Sequence, residues 1–271
     1  MNLDSFEKVK KLTTEMVNIP SINHAGDGGE AKVAKYVHDF YAKMPYFQEH
    51  PDQNYIFGNL EEPDRQNNIC YLKGTKGNSN RCVIMIGHID TVGVDDYGTF
   101  WEKAFRPDLL PEQFLSMKVP QEVIDDIKSG EFMFGRGALD MKSGVAGHMT
   151  IMEYFANHLD ELDGYVMHVA ECDEEAMSGG IIAALGEMVK IKKKEGLQYI
   201  ACINADYYYS GNEGDILINL RSDIPSNPPY HVSVGDAVCQ GIFVQYGVTD
   251  DDDATELTRE QRRGGLGSTG K

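Results

Sequence analysis

The run RCVIMIG at residues 81–87 constrains the fold most. Its near-continuous apolar character is that of a strand buried on both faces of a mostly parallel sheet. Strand-like runs recur on either side of it, at 68–73, 132–134, 165–171 and 197–204. Helical spacing of apolar residues covers 5–17, 30–44, about 143–158 and 179–194, and PQEVIDDIKSG is a short helix within an excursion over 95–130. Strand and helix alternating at this spacing predict an α/β layered domain, with a mostly parallel central sheet and helices on both faces. In such sheets ligand sites lie at the carboxyl ends of the strands.

The character changes after about Tyr207. GDILINL, SNPPYHVSVGD and AVCQGIFVQYGV read as short strands with turns between them, and TDDDDATELTREQRRGGLGSTGK reads as a Gly-rich, mobile tail. The expected division is therefore residues 1–206 as a layered α/β domain and 207–271 as a short all-β segment with a flexible end. Formal net charge is −18, which makes nucleic-acid polymers and anionic membrane surfaces poor partners. No apolar stretch reaches the length of a membrane span. The five cysteines form no CxxC pair and sit mostly inside apolar runs, as free thiols in a reducing compartment do. A cytoplasmic protein is expected.

Chemistry concentrates where the strands end. In GHIDTVG, His88 and Asp90 leave one face of an extended segment, so the carboxylate can orient a metal-binding imidazole. On its own, HxD is more often a hydrogen-bonded core histidine beside a turn aspartate. Asp140 lies in the Gly-rich loop GRGALDMKSG, where an aspartate can bridge two cations or simply cap the next helix. ECDEEAMSGG crowds four acidic groups into five positions, which is costly unless cations compensate. Two adjacent carboxylates, Glu174 and Glu175, can divide the tasks of metal binding and proton transfer. Asp206 ends the run CINAD. Each feature alone has an ordinary explanation. Four successive strand-like segments ending in His or acidic groups place a metal site on the rim of one sheet.

GHIDTVGVDDYG, FGRGALDMKSGVAGH, DEEAMSGG and INADY, in that order, resemble the zinc aminoacylase/carboxypeptidase/deacetylase family of co-catalytic metallopeptidases. The DDYG continuation and the INxDY strand end are closest to its arginine-utilisation branch. The resemblance spans about residues 1–207. It implies an amide or peptide hydrolase acting on a small, amino-acid-derived substrate with one or two Zn2+ ions, for which Co2+ or Mn2+ can substitute. His88 and Asp206 would bind one ion, Asp140 would bridge, Glu175 would bind the second, Asp90 would orient His88, and Glu174 would be the general base. The family's lid domain and final histidine ligand have no counterpart downstream: His231, in PPYHVSV, lacks the motif. One ion would then keep His88, Asp140 and Asp206, and the other Asp140 and Glu175.

The end of the chain has a second resemblance. NEGDILINL, VGDAVCQGIFVQYGVTDDDDAT and RGGLGSTGK are similar to the C-terminal part of trimeric dUTP pyrophosphatases. That family implies Mg2+, a trimer formed through this segment, and nucleotide contacts from Gly235, Asp236, Gln240, Arg263, Gly264, Gly265, Gly267, Ser268, Thr269 and Gly270. Its early motifs do not occur, and Asn204 stands at its base position. A junction between two families at Ala205–Tyr207 accounts for the switch of pattern, and makes a non-catalytic fusion product a further alternative. Gly265-x4-Gly270-Lys271 also matches most of a phosphate loop, but without the Ser/Thr, the preceding strand or the following helix.

Overall fold

The structure is a computed structural model, and it describes residues 3–26, 28–206 and 242–244. Two helices, α1 (Leu3–Val17) and α2 (Gly29–Ala42), precede the sheet. Pro45 does more than stop α2: it opens a short helix, α3 (Pro45–Glu49). The strands are β1 (Asn54–Gly58), β2 (Gln66–Lys73), β3 (Arg81–His88), β4 (Tyr165–Glu171), β5 (Gln198–Asn204) and β6 (Ile242–Val244). The excursion after β3 holds a 3-10 segment (Asp95–Lys103), α4 (Leu110–Leu115) and α5 (Gln121–Ser129), and α6 (Ser143–Asn157) leads back to β4. α7 (Gly179–Glu195) joins β4 to β5.

The six strands form one mixed sheet in the order β1-β2-β4-β3-β5-β6. The parallel pairings, β4 with β3 and β3 with β5, are its centre, while β1, β2 and β6 pair antiparallel. Helices cover both faces. Because side chains alternate along a strand, Cys70, Leu72, Val166 and Ala170 pack against α1, α2 and α6, while Ile69, Tyr71, Met167 and Val169 pack against α7. All seven residues of β4 are buried.

The expected strand at 132–134 does not form. Phe134 instead packs edge-on against Phe114, with ring centroids 5.6 Å apart, and Phe132 is exposed. Phe134 thus serves the packing of the excursion, and Asp140 comes from a loop rather than a strand end. Cys70, Cys82, Cys172 and Cys202 are buried free thiols, as expected. Among the described residues no helix is long and apolar enough to cross a membrane. The strands and tail expected after residue 206 lie outside the described residues, apart from β6.

The core holds two histidines, one on α6 and one on β4. His148 and His168 are both buried with ring centroids 5.4 Å apart, and the Tyr41 hydroxyl meets His168 Nδ1 at 2.8 Å. Burial pulls His148 down to about 4 and His168 well below the usual histidine range. Both rings are therefore neutral in the fold and become titratable near 6.5 on unfolding. A base with a depressed folded pKa contributes stability above the unfolded value and loses it as pH falls. From pH 6.5 to about 4 the His148 contribution shrinks by ~3 kcal/mol. His148→Leu is expected to flatten this acid limb, so that urea midpoints at pH 7 and pH 5 lie closer together than in the wild type.

Candidate metal centre

The carboxyl ends of β3, β4 and β5 lie side by side, with His88 in register with Glu171 and Ile86 with Asn204. His88 is the last residue of β3, the acidic loop follows β4, and Asp206 follows β5. The loop before α6 brings Asp140 to the same rim. Its backbone departs from helical angles at Asp140 (φ −110°, ψ 101°) and Met141 (φ −130°, ψ 32°). Gly144, in the first turn of α6, lets that turn press against the end of β5: a Cβ there would stand 2.6 Å from the Ala205 carbonyl oxygen.

His88 is the hub. Its Nδ1 lies 3.0 Å from the Asp90 carbonyl oxygen and 3.6 Å from Asp90 Oδ1. Its Nε2 faces Asp140 Oδ1 at 2.9 Å, Asp206 Oδ1 at 3.6 Å and Glu174 Oε2 at 3.9 Å. Among the described residues two groups could each hold a cation, with ligand atoms within 4.8 Å of one another: His88, Asp140 and Glu175, and His88, Glu174 and Asp206. The six residues expected at the metal site, His88, Asp90, Asp140, Glu174, Glu175 and Asp206, lie together here, but Glu174 joins His88 and Asp206 where the resemblance implied Asp140. Asp90 does more than orient the imidazole. It is fully buried, its Oδ1 accepts the Glu174 amide at 3.2 Å, and its Oδ2 accepts the Glu175 amide at 3.1 Å and Asn23 Nδ2 at 2.6 Å. One carboxylate thus fixes both the histidine and the acidic loop.

The electrostatics are those of a cation site. Burial, with repulsion from Asp140, Asp90 and Glu174 added, raises Glu175 to about 7. Burial raises Glu174 as well, with further repulsion from Asp206, Asp90 and Asp140. Glu171, buried at the floor with one oxygen unpartnered, is pushed up to about 8 by burial and its acidic neighbours. Burial disfavours the His88 cation, but its bonds to Asp140, Asp206 and Asp90 outweigh this and lift it well above the usual range. Burial also opposes ionisation of Asp90, and the His88 bond overcomes it, holding that carboxyl below its usual value. The nearby Lys142 ammonium is directed elsewhere, donating to the Met16 and Ile19 carbonyls at 3.0 and 2.8 Å, and burial lowers it to about 7. Four carboxylates (Asp140, Glu174, Glu175 and Asp206) around one imidazole form an oxygen-rich donor set with one nitrogen, a composition that fits zinc, cobalt or manganese.

Asn23, Glu30, Arg65 and Glu171 were not singled out by the sequence. Glu171 lies inside the acidic run and could have been. The others sit on distant segments with no local motif. Gly235, Asp236, Gln240, Arg263, Gly264, Gly265, Gly267, Ser268, Thr269 and Gly270 lie outside the described residues.

A mixed α/β sheet with helices on both faces and a His–carboxylate cluster on its carboxyl rim is the architecture of an α/β domain with a candidate metal site. A family model described as Peptidase family M20/M25/M40 matches residues 84–237, and the chain belongs to that family. It is 37% identical over 215 residues to Protein RocB of Bacillus subtilis (strain 168), covering 79% of this chain and 38% of that protein. It is 31% identical over 231 residues to the uncharacterized protein YqjN of the same organism, covering 80% and 41%. The chain thus spans about two fifths of the length of these relatives. The crystal structure of human carnosine dipeptidase 1 shares the fold, with a TM-score of 0.50 and 16% identity over 76% of this chain and 40% of that one.

Proposed function

We propose that this chain carries the metal-binding catalytic rim of a hydrolase that cleaves an amide or peptide bond in a small, amino-acid-derived substrate. The observation that supports this most is the convergence of Asp140, Asp206 and Glu174, from three separate loops, on one buried imidazole nitrogen. His88, Asp140, Glu175 and Asp206 would hold zinc, with cobalt or manganese as substitutes. Bound zinc supplies Lewis acidity, polarising the scissile carbonyl and acidifying water. Asp90 keeps His88 Nδ1 engaged, so that Nε2 presents its lone pair to the site. Glu174 is the general base: it is half-buried, and a carboxylate raised by burial and like charge holds a proton more strongly. The DDYG and INADY motifs support the arginine-utilisation branch and a substrate derived from an amino acid.

Zinc-loaded protein incubated with N-acyl amino acids and dipeptides is expected to release free amine, and chelation should stop the release. Metal-loaded protein that cleaves no member of such a panel would contradict the hydrolase reading.

A further inference from the structure

The acidic loop is held from below by buried charges that are not among the expected metal ligands. Arg65, just before β2, donates from Nε and Nη2 to the two carboxylate oxygens of Glu30, at 2.7 Å each, and from Nη1 to Asp173 Oδ1 at 2.7 Å. All three residues are buried. Glu30 Oε1 also accepts the Asp173 amide at 3.0 Å. Asp173 has φ 64°, its Oδ2 accepts the Gly179 amide at 3.0 Å, and its carbonyl accepts the Ser178 amide at 2.6 Å. Residues 173–179 are thereby closed into a ring whose next two amides, of Glu174 and Glu175, rest on Asp90. Asn23 ties the halves together, with Nδ2 at 2.6 Å from Asp90 Oδ2 and 3.4 Å from Asp173 Oδ1. The half-exposed His24 edges the cluster, its Nε2 3.6 Å from Asp173 Oδ1.

One buried cation between two buried carboxylates, with the exposed Glu62 also 3.2 Å from Nη1, is a poor source of stability, because desolvation offsets much of the attraction. What the arrangement provides is geometry. A planar guanidinium bonded in fork fashion to Glu30 sets the direction of its third contact, which a flexible ammonium cannot do. We propose that Arg65 is a positioning residue: through Glu30 and Asp173 it holds the loop so that Glu174 and Glu175 both face His88, and the metal affinity of the site depends on that fork. This rests on the metal-site reading above.

The test is Co2+ titration of the chelated full chain, followed by visible absorption, alongside the thermal midpoint of the metal-free protein. Arg65→Lys keeps the charge and removes the fork. It is expected to weaken Co2+ binding tenfold to a hundredfold, the range usual for groups that orient ligands. In the metal-free variant the Glu174 and Glu175 amides should exchange with deuterium faster than in the wild type, while Arg106→Gln, at an exposed ion pair with Asp108, changes neither readout. Should Arg65→Lys fail to fold, Glu30→Gln breaks the same fork with an isosteric side chain and is expected to weaken Co2+ binding in the same way. Wild-type affinity and exchange in a folded Arg65→Lys, or in Glu30→Gln, would overturn the proposal. A wild-type chain that takes up no Co2+ would instead overturn the metal site beneath it.

Discussion

Glu174→Gln is expected to leave the metal in place and lower amide hydrolysis by about 10²–10⁴-fold, the usual worth of a positioned general base. The Glu174 amide is anchored on Asp90 Oδ1, so the substitution leaves the loop backbone where it is. Glutamine keeps the size of the side chain but loses its charge and its ability to accept a proton. A loss of kcat at constant metal content is the signature of this role. Equal losses of metal and activity would make Glu174 a ligand instead, as its place in the His88–Glu174–Asp206 group allows.

His88→Ala is expected to have the largest effect on the metal. His88 belongs to both groups that could hold a cation, and its imidazole is the nitrogen donor common to them. Its removal should reduce zinc affinity by more than a hundredfold, beyond the loss typical of groups that only orient ligands. The metal-free protein should also be weakened. Asp90 is fully buried, and His88 supports its ionisation more than Asn23 or the Glu175 amide does, so breaking this buried pair costs up to about 3–5 kcal/mol. Urea unfolding of the chelated variant measures the second effect separately from the first.

The sheet was legible because β3, β4 and β5 are apolar runs bounded by turns, although only β3 and β4 are largely buried. β1 was not, since NYIFG follows the short turn at Pro51–Gln53 and is only half-buried at the sheet edge. The strand expected at 132–134 fails for a related reason: aromatic β-formers pack equally well on neighbouring rings, and nothing local distinguishes the two uses. The gathering of His88, Asp90, Asp140, Glu174, Glu175 and Asp206 was legible because an α/β sheet brings successive strand ends to one rim. Asp140 joined them through a loop whose backbone angles no pattern announces. The Arg65 clamp could not be read at all. Its partners lie 35 and 108 residues away, and only the packing of α2 against β2 and the pairing of β2 with β4 bring them together.

The most direct test of the metal centre is the zinc content and thermal midpoint of the chain after chelation and after reloading. A ligand that binds only the folded state stabilises it by mass action, by about 2.7 kcal/mol at a hundredfold excess over its dissociation constant. The account predicts at least one tightly held zinc per chain, a higher midpoint on reloading, and neither in His88→Ala. A wild-type chain that binds no zinc and melts at the same temperature with and without it would contradict the account.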